Sequence, residues 1–168
     1  MKKQLSIMSL LIVALFAFSG VAAAAEPIDA VKANIKLSTT AIKQSVPTIT
    51  VQEFMKKIES DQEFFEVVDV RGKDEYDAGH LANAVWAPRG KAEWVIPTKI
   101  TDPDVPIYIY CKSGTRGALV TKMLLDAGYT NVTNVDGGFK AWASAGYPFY
   151  NLHGRMVMSK DGFGKQPQ

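Results

Sequence analysis

The chain has 168 residues, a formal net charge of +2 and a single cysteine. A charge so close to zero gives no electrostatic reason to expect nucleic acid binding, which depends on basic surfaces. One cysteine cannot form an intramolecular disulfide, and the two histidines, His80 and His153, lack the spacing of a metal site. We therefore expect a fold held by its core, with no metal and no cofactor.

The first 25 residues have the pattern of a secretory signal peptide. Lys2 and Lys3 form a basic start, an uncharged apolar run follows, and four alanines end the segment at Ala25. An uncleaved membrane anchor is the alternative, because residues 4–25 are long enough to span a bilayer as a helix. Cleavage after Ala25 would leave 143 residues, 17 basic and 17 acidic. The sequence thus predicts export to a periplasm, without membrane attachment after cleavage.

The remaining chain is long enough for one domain with its own core. We place this domain at residues 47–150, where apolar segments and turn signals alternate regularly. Residues 26–46 are only loosely amphipathic and are expected to form a leader segment or a short helix outside the domain. Residues 151–168 end in DGFGKQPQ, and we expect this tail to be poorly ordered.

Hydrophobic periodicity and capping signals predict the elements of the domain. No element is expected in the polar stretch at 71–80. The predicted elements in chain order are a strand at 48–50, a helix at 51–58 capped by Thr50 and Glu53, strands at 64–70 and 84–87, a helix at 90–100 that stops at Pro97, a strand at 105–110, a helix from Ala118 to Gly128, a strand at 132–135 and a helix at 139–145. This alternation predicts an α/β fold, with a mostly parallel central sheet flanked by helices on both faces.

The segment Cys111 to Gly117, CKSGTRG, follows an apolar strand and precedes a helix. Ligands bind at this end of the strands in open α/β sheets. The helix start, the backbone N–H groups of the turn and the cations Lys112 and Arg116 would each favour a thiolate over a thiol. A small hydrophobic role for Cys111 is the alternative. An inert core cysteine would not need this charged, glycine-containing continuation, so the pattern favours a nucleophile that binds an anionic substrate.

The length of this loop separates two kinds of cysteine chemistry. Cysteine-dependent phosphatases have five residues between the nucleophile and the arginine, usually with a histidine before the cysteine. Four residues separate Cys111 from Arg116, and Tyr110 precedes the cysteine. The shorter loop suits a single sulfur atom on the cysteine better than a phosphate. A phosphatase or arsenate reductase is therefore the weaker hypothesis.

Four blocks of the sequence, in order, resemble the rhodanese-like sulfurtransferases of the single-domain type. The similarity runs from about Pro47 to Pro148. The blocks are VVDVR at 67–71, EYDAGHLANA at 75–84, CKSGTRG at 111–117 and the glycine-containing segment from Leu124 to Trp142. Gly117 departs from the family, which often has serine at this position. The resemblance implies a rhodanese-like fold and sulfur-transfer chemistry.

The resemblance also implies a reaction through Cys111. Its thiolate would take sulfur from thiosulfate or a polysulfide as a persulfide, and cyanide or a thiol would remove it. Asp69, Arg71 and Arg89 are implied near the pocket, with a structural salt bridge as the alternative for the first two. The residues expected to bind the donor and the persulfide, through backbone N–H groups and positive charge, are Lys112, Ser113, Gly114, Thr115, Arg116 and Gly117.

A non-catalytic role remains open at this point. The same cysteine would serve a periplasmic sulfur carrier or a partner-docking module that delivers sulfur to another protein. Residues 26–46 and 151–168 would then be candidate docking segments. The sequence does not separate this hypothesis from an enzyme that uses a small sulfur-containing anion and a thiol acceptor.

Overall fold

The computed structural model describes residues 27–60 and 63–158, so the predicted signal peptide lies outside the described residues. The helices are α1 (Ile28–Ser45), α2 (Val51–Ser60), α3 (Lys73–Ala78), α4 (Ala92–Lys99), α5 (Thr115–Ala127) and α6 (Gly138–Ser144). The strands are β1 (Thr48–Ile49), β2 (Glu66–Asp69), β3 (Val85–Trp86), β4 (Ile107–Tyr110), β5 (Val132–Val135), β6 (Phe149–Asn151) and β7 (Gly154–Met156). None of the helices in these two ranges is both long and apolar enough to span a membrane.

The central sheet has five parallel strands in the order β1-β5-β4-β2-β3, which confirms the predicted α/β fold. Every residue of the middle strand, β4, is buried. Successive strand residues face opposite sides, so Ile107 and Ile109 pack in the core covered by α4 and α5. Tyr108 and Tyr110 pack in the core covered by α2 and α6. Helices therefore cover both faces, and the residues that follow β2, β4 and β5 meet along one edge.

Local signals in the sequence account for the helix ends nearest the site. The Thr50 hydroxyl accepts a hydrogen bond from the Glu53 N–H at 3.2 Å, and the Glu53 carboxylate accepts one from the Thr50 N–H at 2.9 Å. This is the predicted capping box at the start of α2. At the end of α5, Gly128 has φ +107° and donates its N–H to the carbonyls of the last turn. The predicted left-handed cap is thus confirmed.

Two expectations about helices are wrong. The polar stretch at 71–80 contains α3, a six-residue helix with no buried residue, so it has no apolar periodicity to reveal it. The fourth helix does not stop at Pro97 but continues to Lys99. Proline lacks only its own N–H. Beyond it, the Ile100 N–H still donates to the Ile96 carbonyl at 2.8 Å, and buried Ile96 anchors the helix to the core.

The described residues before and after the predicted domain form regular secondary structure. Residues 28–45 form α1, which packs against α5. Residues 151–158 were expected to be poorly ordered, yet β6 and β7 form an antiparallel hairpin. Backbone hydrogen bonds of 2.8 and 2.7 Å between His80 and Tyr150 fasten this hairpin to the domain. Main-chain pairing leaves no strong sequence signal, which explains the wrong expectation. Residues 159–168 lie outside the described range.

Candidate active site

Cys111 follows β4 directly and lies at the carboxyl edge of the sheet, as predicted. Its side chain is buried, with only 1% exposed. The Gly114 N–H donates a hydrogen bond to the Cys111 Sγ, with 3.2 Å between nitrogen and sulfur. Gly114 has φ +95°, and a Cβ there would lie 2.9 Å from an Asp136 carboxylate oxygen. Glycine is therefore required where the turn bends its amide toward the sulfur.

The first turn of α6 forms backbone hydrogen bonds with the cysteine loop. The Phe139 N–H donates to the Cys111 carbonyl at 2.7 Å, and the Lys140 N–H donates to the Lys112 carbonyl at 3.0 Å. A Cβ on Gly138 would collide with the Cys111 carbonyl oxygen. Two consecutive carbonyls of the loop are thus satisfied by one helix start. These two hydrogen bonds fix the backbone at Cys111 and at the residue that follows it.

Arg116 lies in the loop, but its guanidinium is already paired. Its Nη1 and Nη2 donate to Glu75 Oε2 and Oε1 at 2.8 and 2.9 Å, in a bidentate ion pair. The hydrogen bonds from Arg116 lower the pKa of Glu75 from its ordinary value to about 2, with further help from the Gly72 N–H. Glu75 in turn raises the pKa of Arg116, and the nearby Cys111 sulfur adds to this increase. The positive charge of Arg116 is therefore held near the Cys111 sulfur and is partly neutralised by Glu75.

Asp69 and Arg71 form a buried ion pair behind the loop, with 0% and 3% of their surface exposed. The Arg71 Nη2 donates to Asp69 Oδ2 at 2.7 Å and also to the Gly79 carbonyl. Burial alone would lower the pKa of Arg71, but the hydrogen bond and charge of Asp69 keep it raised. The guanidinium also lies 4.2 Å from the centre of the Phe139 ring. These contacts connect β2, the end of α3 and α6.

The other predicted loop residues differ in exposure. Lys112 and Ser113 are exposed, whereas Thr115 is half-buried as the first residue of α5.

Arg89 is exposed in the turn after β3, and its backbone N–H donates to the Val70 carbonyl at 3.1 Å. It lies at the same edge of the sheet as Cys111, because both residues follow parallel strands.

Gly117 is glycine because a neighbouring strand fills the space. A Cβ at this position would lie 2.5 Å from Asn134 Oδ1 and 3.4 Å from the Ile109 carbonyl oxygen. Asn134, in β5, is completely buried, and neither atom of its amide has a hydrogen-bond partner in the described parts of the chain. The family often has serine at position 117. In this chain the buried Asn134 side chain occupies the space that a side chain at 117 would need.

Sequence reasoning assigned no role to Glu75 or Asn134. Glu75 is 41 residues before Arg116, and no periodic pattern connects them. Asn134 lies in β5 beside two buried valines, and a polar side chain is rarely buried without a hydrogen-bond partner. The sequence signals were the glutamate that begins the block at 75–84, the polar residue in β5 and the glycine at 117.

The chain is similar to proteins whose names refer to sulfur chemistry. YrkF of Bacillus subtilis (strain 168), a candidate sulfur carrier protein, is 33% identical over 98 residues, covering 58% of this chain and 51% of YrkF. The thiosulfate sulfurtransferase GlpE of Coxiella burnetii (strain RSA 331 / Henzerling II) is 30% identical over 76 residues, covering 45% of this chain and 69% of GlpE. The chain thus spans about half the length of YrkF.

A solved structure and a family model also match this chain. The solution structure of the 30 kDa polysulfide-sulfur transferase homodimer from Wolinella succinogenes matches with a TM-score of 0.63 and 26% identity, covering 76% of this chain and 94% of that chain. The rhodanese-like domain model matches residues 50–145, more than half of the chain. These relatives support a general role in sulfur transfer. The chain belongs to the rhodanese-like domain family.

Proposed function

We propose that the protein is a sulfurtransferase that moves sulfane sulfur from thiosulfate or a polysulfide to a thiophilic acceptor. The observation that carries this proposal is the placement of the Cys111 sulfur at the end of β4, with the Gly114 N–H 3.2 Å away. The names of GlpE and of the Wolinella succinogenes enzyme lend support, since both are sulfurtransferases.

The reaction has two displacement steps at sulfur. The Cys111 thiolate attacks the outer sulfur of thiosulfate, the S–S bond of the donor breaks, and sulfite leaves with the electron pair. Cyanide or a thiolate then attacks the outer sulfur of the persulfide, and Cys111 leaves as a thiolate. The loop N–H groups and the charge of Lys112 would stabilise the anionic sulfur in both steps.

The test is the transfer of sulfur from thiosulfate to cyanide, followed as thiocyanate. The wild-type protein should form thiocyanate, and Cys111→Ser should form none, because serine cannot hold a persulfide. Equal rates from both proteins would contradict the proposal. Thermal unfolding of both proteins checks that the variant is folded, and an aryl phosphate assayed in parallel tests the phosphatase hypothesis.

A sulfur carrier is the second candidate function, favoured by the similarity to YrkF. The exposed apolar side chains of α1 also favour it, since Ile28, Ile35 and Leu37 are 65%, 60% and 68% exposed. If the protein docks a partner through α1, the double variant Ile35→Ser and Leu37→Ser should lose the transfer of sulfur to that partner protein. Thiocyanate formation should stay unchanged. Unaltered transfer to a sulfur-accepting protein would count against docking through α1.

We also propose export to a periplasm, with cleavage after Ala25. The basic start, apolar run and alanines of residues 1–25 support this proposal. Expression of the full chain in a Gram-negative host should release a periplasmic protein that begins at Glu26, as read by intact mass. A full-length chain that remains in the membrane fraction would support the anchor instead.

A further inference from the structure

A cavity of about 420 Å³ opens on the face of the sheet that α2 and α6 cover. Its lining comes from α2, the start of β2, the loop after α3 and the segment from α6 to β6. Val67, Leu81 and Trp142 belong both to this lining and to the buried core of that face. The cavity therefore extends the core to the surface, and its volume lies within the range of about 300–1,000 Å³ that is typical of small-molecule sites.

The cavity is separate from the cysteine loop. Glu66 lines it from the amino end of β2, where it pairs with Ile107 at the amino end of β4. Cys111 follows the opposite end of β4, and a strand of four residues spans about 13 Å. None of residues 111–117, all of which the structure describes, lines the cavity. A ligand in it would therefore bind at a site distinct from the cysteine loop.

Four aromatic side chains line the cavity, and two of them are held in place by their neighbours. Phe65 packs edge-on against the Tyr108 ring, with 5.3 Å between the ring centroids. The Trp142 Nε1 donates to the Pro148 carbonyl at 2.8 Å. Phe64, by contrast, is 74% exposed, so its ring can pack on a ligand. The aromatic lining residues are Phe64, Phe65, Trp142 and Tyr150.

The charge of the lining is negative. Its charged residues are Glu63 and Glu66, with no lysine or arginine among the described residues that line it. Glu63 forms an ion pair of 2.8 Å with Lys57 of α2. Glu66 is half-buried and forms no ion pair with any residue that the structure describes. Because the faces of aromatic rings also attract positive charge, the carboxylate and the rings both favour a cation.

We infer that this cavity is a binding site for a small organic cation, an amine or a quaternary ammonium compound with an apolar body. The apolar body would pack against Met55, Ile58 and Leu81, and the cationic group would lie near Glu66 and the aromatic rings. An inorganic cation does not fit this lining, because mostly apolar walls cannot replace its shell of oxygen ligands. The inference is independent of the proposed sulfurtransferase function, since it involves no step at Cys111.

The test compares benzyl compounds that differ in charge: cationic benzyltrimethylammonium, uncharged benzyl alcohol and anionic phenylacetate. Their dissociation constants come from titrations followed by backbone amide chemical shifts in NMR spectra. The wild-type protein should bind the cation most tightly and the anion most weakly, with the shifts concentrated at residues 64–67 and 81–83. Glu66→Gln should weaken binding of the cation by about threefold to fivefold and leave that of benzyl alcohol unchanged. Glu93→Gln, exposed on α4, is the matched control and should change neither.

A second variant tests the aromatic wall. Phe64 is exposed, so Phe64→Ala should leave the fold intact, and it should weaken binding of benzyltrimethylammonium by about twofold to fivefold through loss of the ring. Binding of phenylacetate as tight as that of the cation, or no saturable shift at residues 64–67 and 81–83, would overturn the inference. So would an unchanged affinity for the cation in both Glu66→Gln and Phe64→Ala. Thiocyanate formation should be the same in the wild type and both variants, which separates a failure of this site from a failure of the proposed function.

Discussion

Glu75 determines how the charge of Arg116 is presented to the cysteine loop. The bidentate pair leaves neither terminal nitrogen of Arg116 without a carboxylate partner. An oxyanion donor such as thiosulfate would have to compete with Glu75 for that guanidinium. The cation of the loop without an ion-pair partner among the described residues is therefore Lys112, which is exposed and follows Cys111 in the chain.

The Glu75–Arg116 pair should make stability depend on pH in acid. The pKa of Glu75 is lowered to about 2 in the folded protein from 4.5. The carboxylate therefore contributes stability that is fully present above about pH 4.5 and is lost as the pH falls toward 2. The difference in unfolding free energy between the wild type and Glu75→Gln, from urea titrations, should shrink over this range. A difference that stays constant from pH 6 to pH 2 would contradict this role, and Glu93→Gln, exposed on α4, serves as the control.

The contact between Gly117 and Asn134 predicts a coupled pair of substitutions. Glycine to alanine in a helix usually stabilises, but here the new Cβ would lie 2.5 Å from Asn134 Oδ1. Gly117→Ala alone should therefore destabilise the protein by about 1–3 kcal/mol. In an Asn134→Ala background the same change should cost little or stabilise. A double-mutant cycle from urea unfolding measures this coupling, and additive effects would show that the two side chains do not compete for space.

Among the elements, those with a strong hydrophobic period were predictable from the sequence. β4, the turn after it and α5 were predicted because an apolar run, a glycine-containing segment and a capped amphipathic helix follow one another. α3 and the β6–β7 hairpin were missed because neither is held by a periodic apolar face. Capping by Glu75 and main-chain pairing with His80 hold them, and neither leaves a periodic pattern.

α1 should be coupled to the turn that supports the cysteine loop. Lys43, near its end, forms an ion pair of 2.5 Å with Asp136, whose carboxylate lies beside Gly114. The hydrogen bond from Lys43 lowers the pKa of Asp136. Both side chains are about one-third or more exposed, so a double-mutant cycle of Lys43→Gln and Asp136→Asn should give a coupling of about 0.2–1 kcal/mol. Measured by urea unfolding, a coupling of zero would show that the pair does not stabilise α1 against the domain.

For the molecule as a whole, the sequence predicted the position of Cys111 at the carboxyl edge of the sheet but not the residues that surround it. Cys111 and its loop form one continuous segment, so local reasoning reached them. The Glu75–Arg116 pair joins residues far apart in the chain. Such contacts arise only when the parallel sheet brings the ends of separate strands to one edge. The five-stranded sheet thus determines which charges surround the sulfur.

Whether Cys111 carries a transferable sulfur atom can be read from the intact mass of the protein after incubation with polysulfide. The wild-type protein should gain the mass of one sulfur atom, and cyanide should remove it. Cys111 is the only cysteine in the chain, so Cys111→Ser should gain nothing. A wild-type protein that gains no sulfur, or a gain that persists in Cys111→Ser, would show that Cys111 does not carry the transferable sulfur.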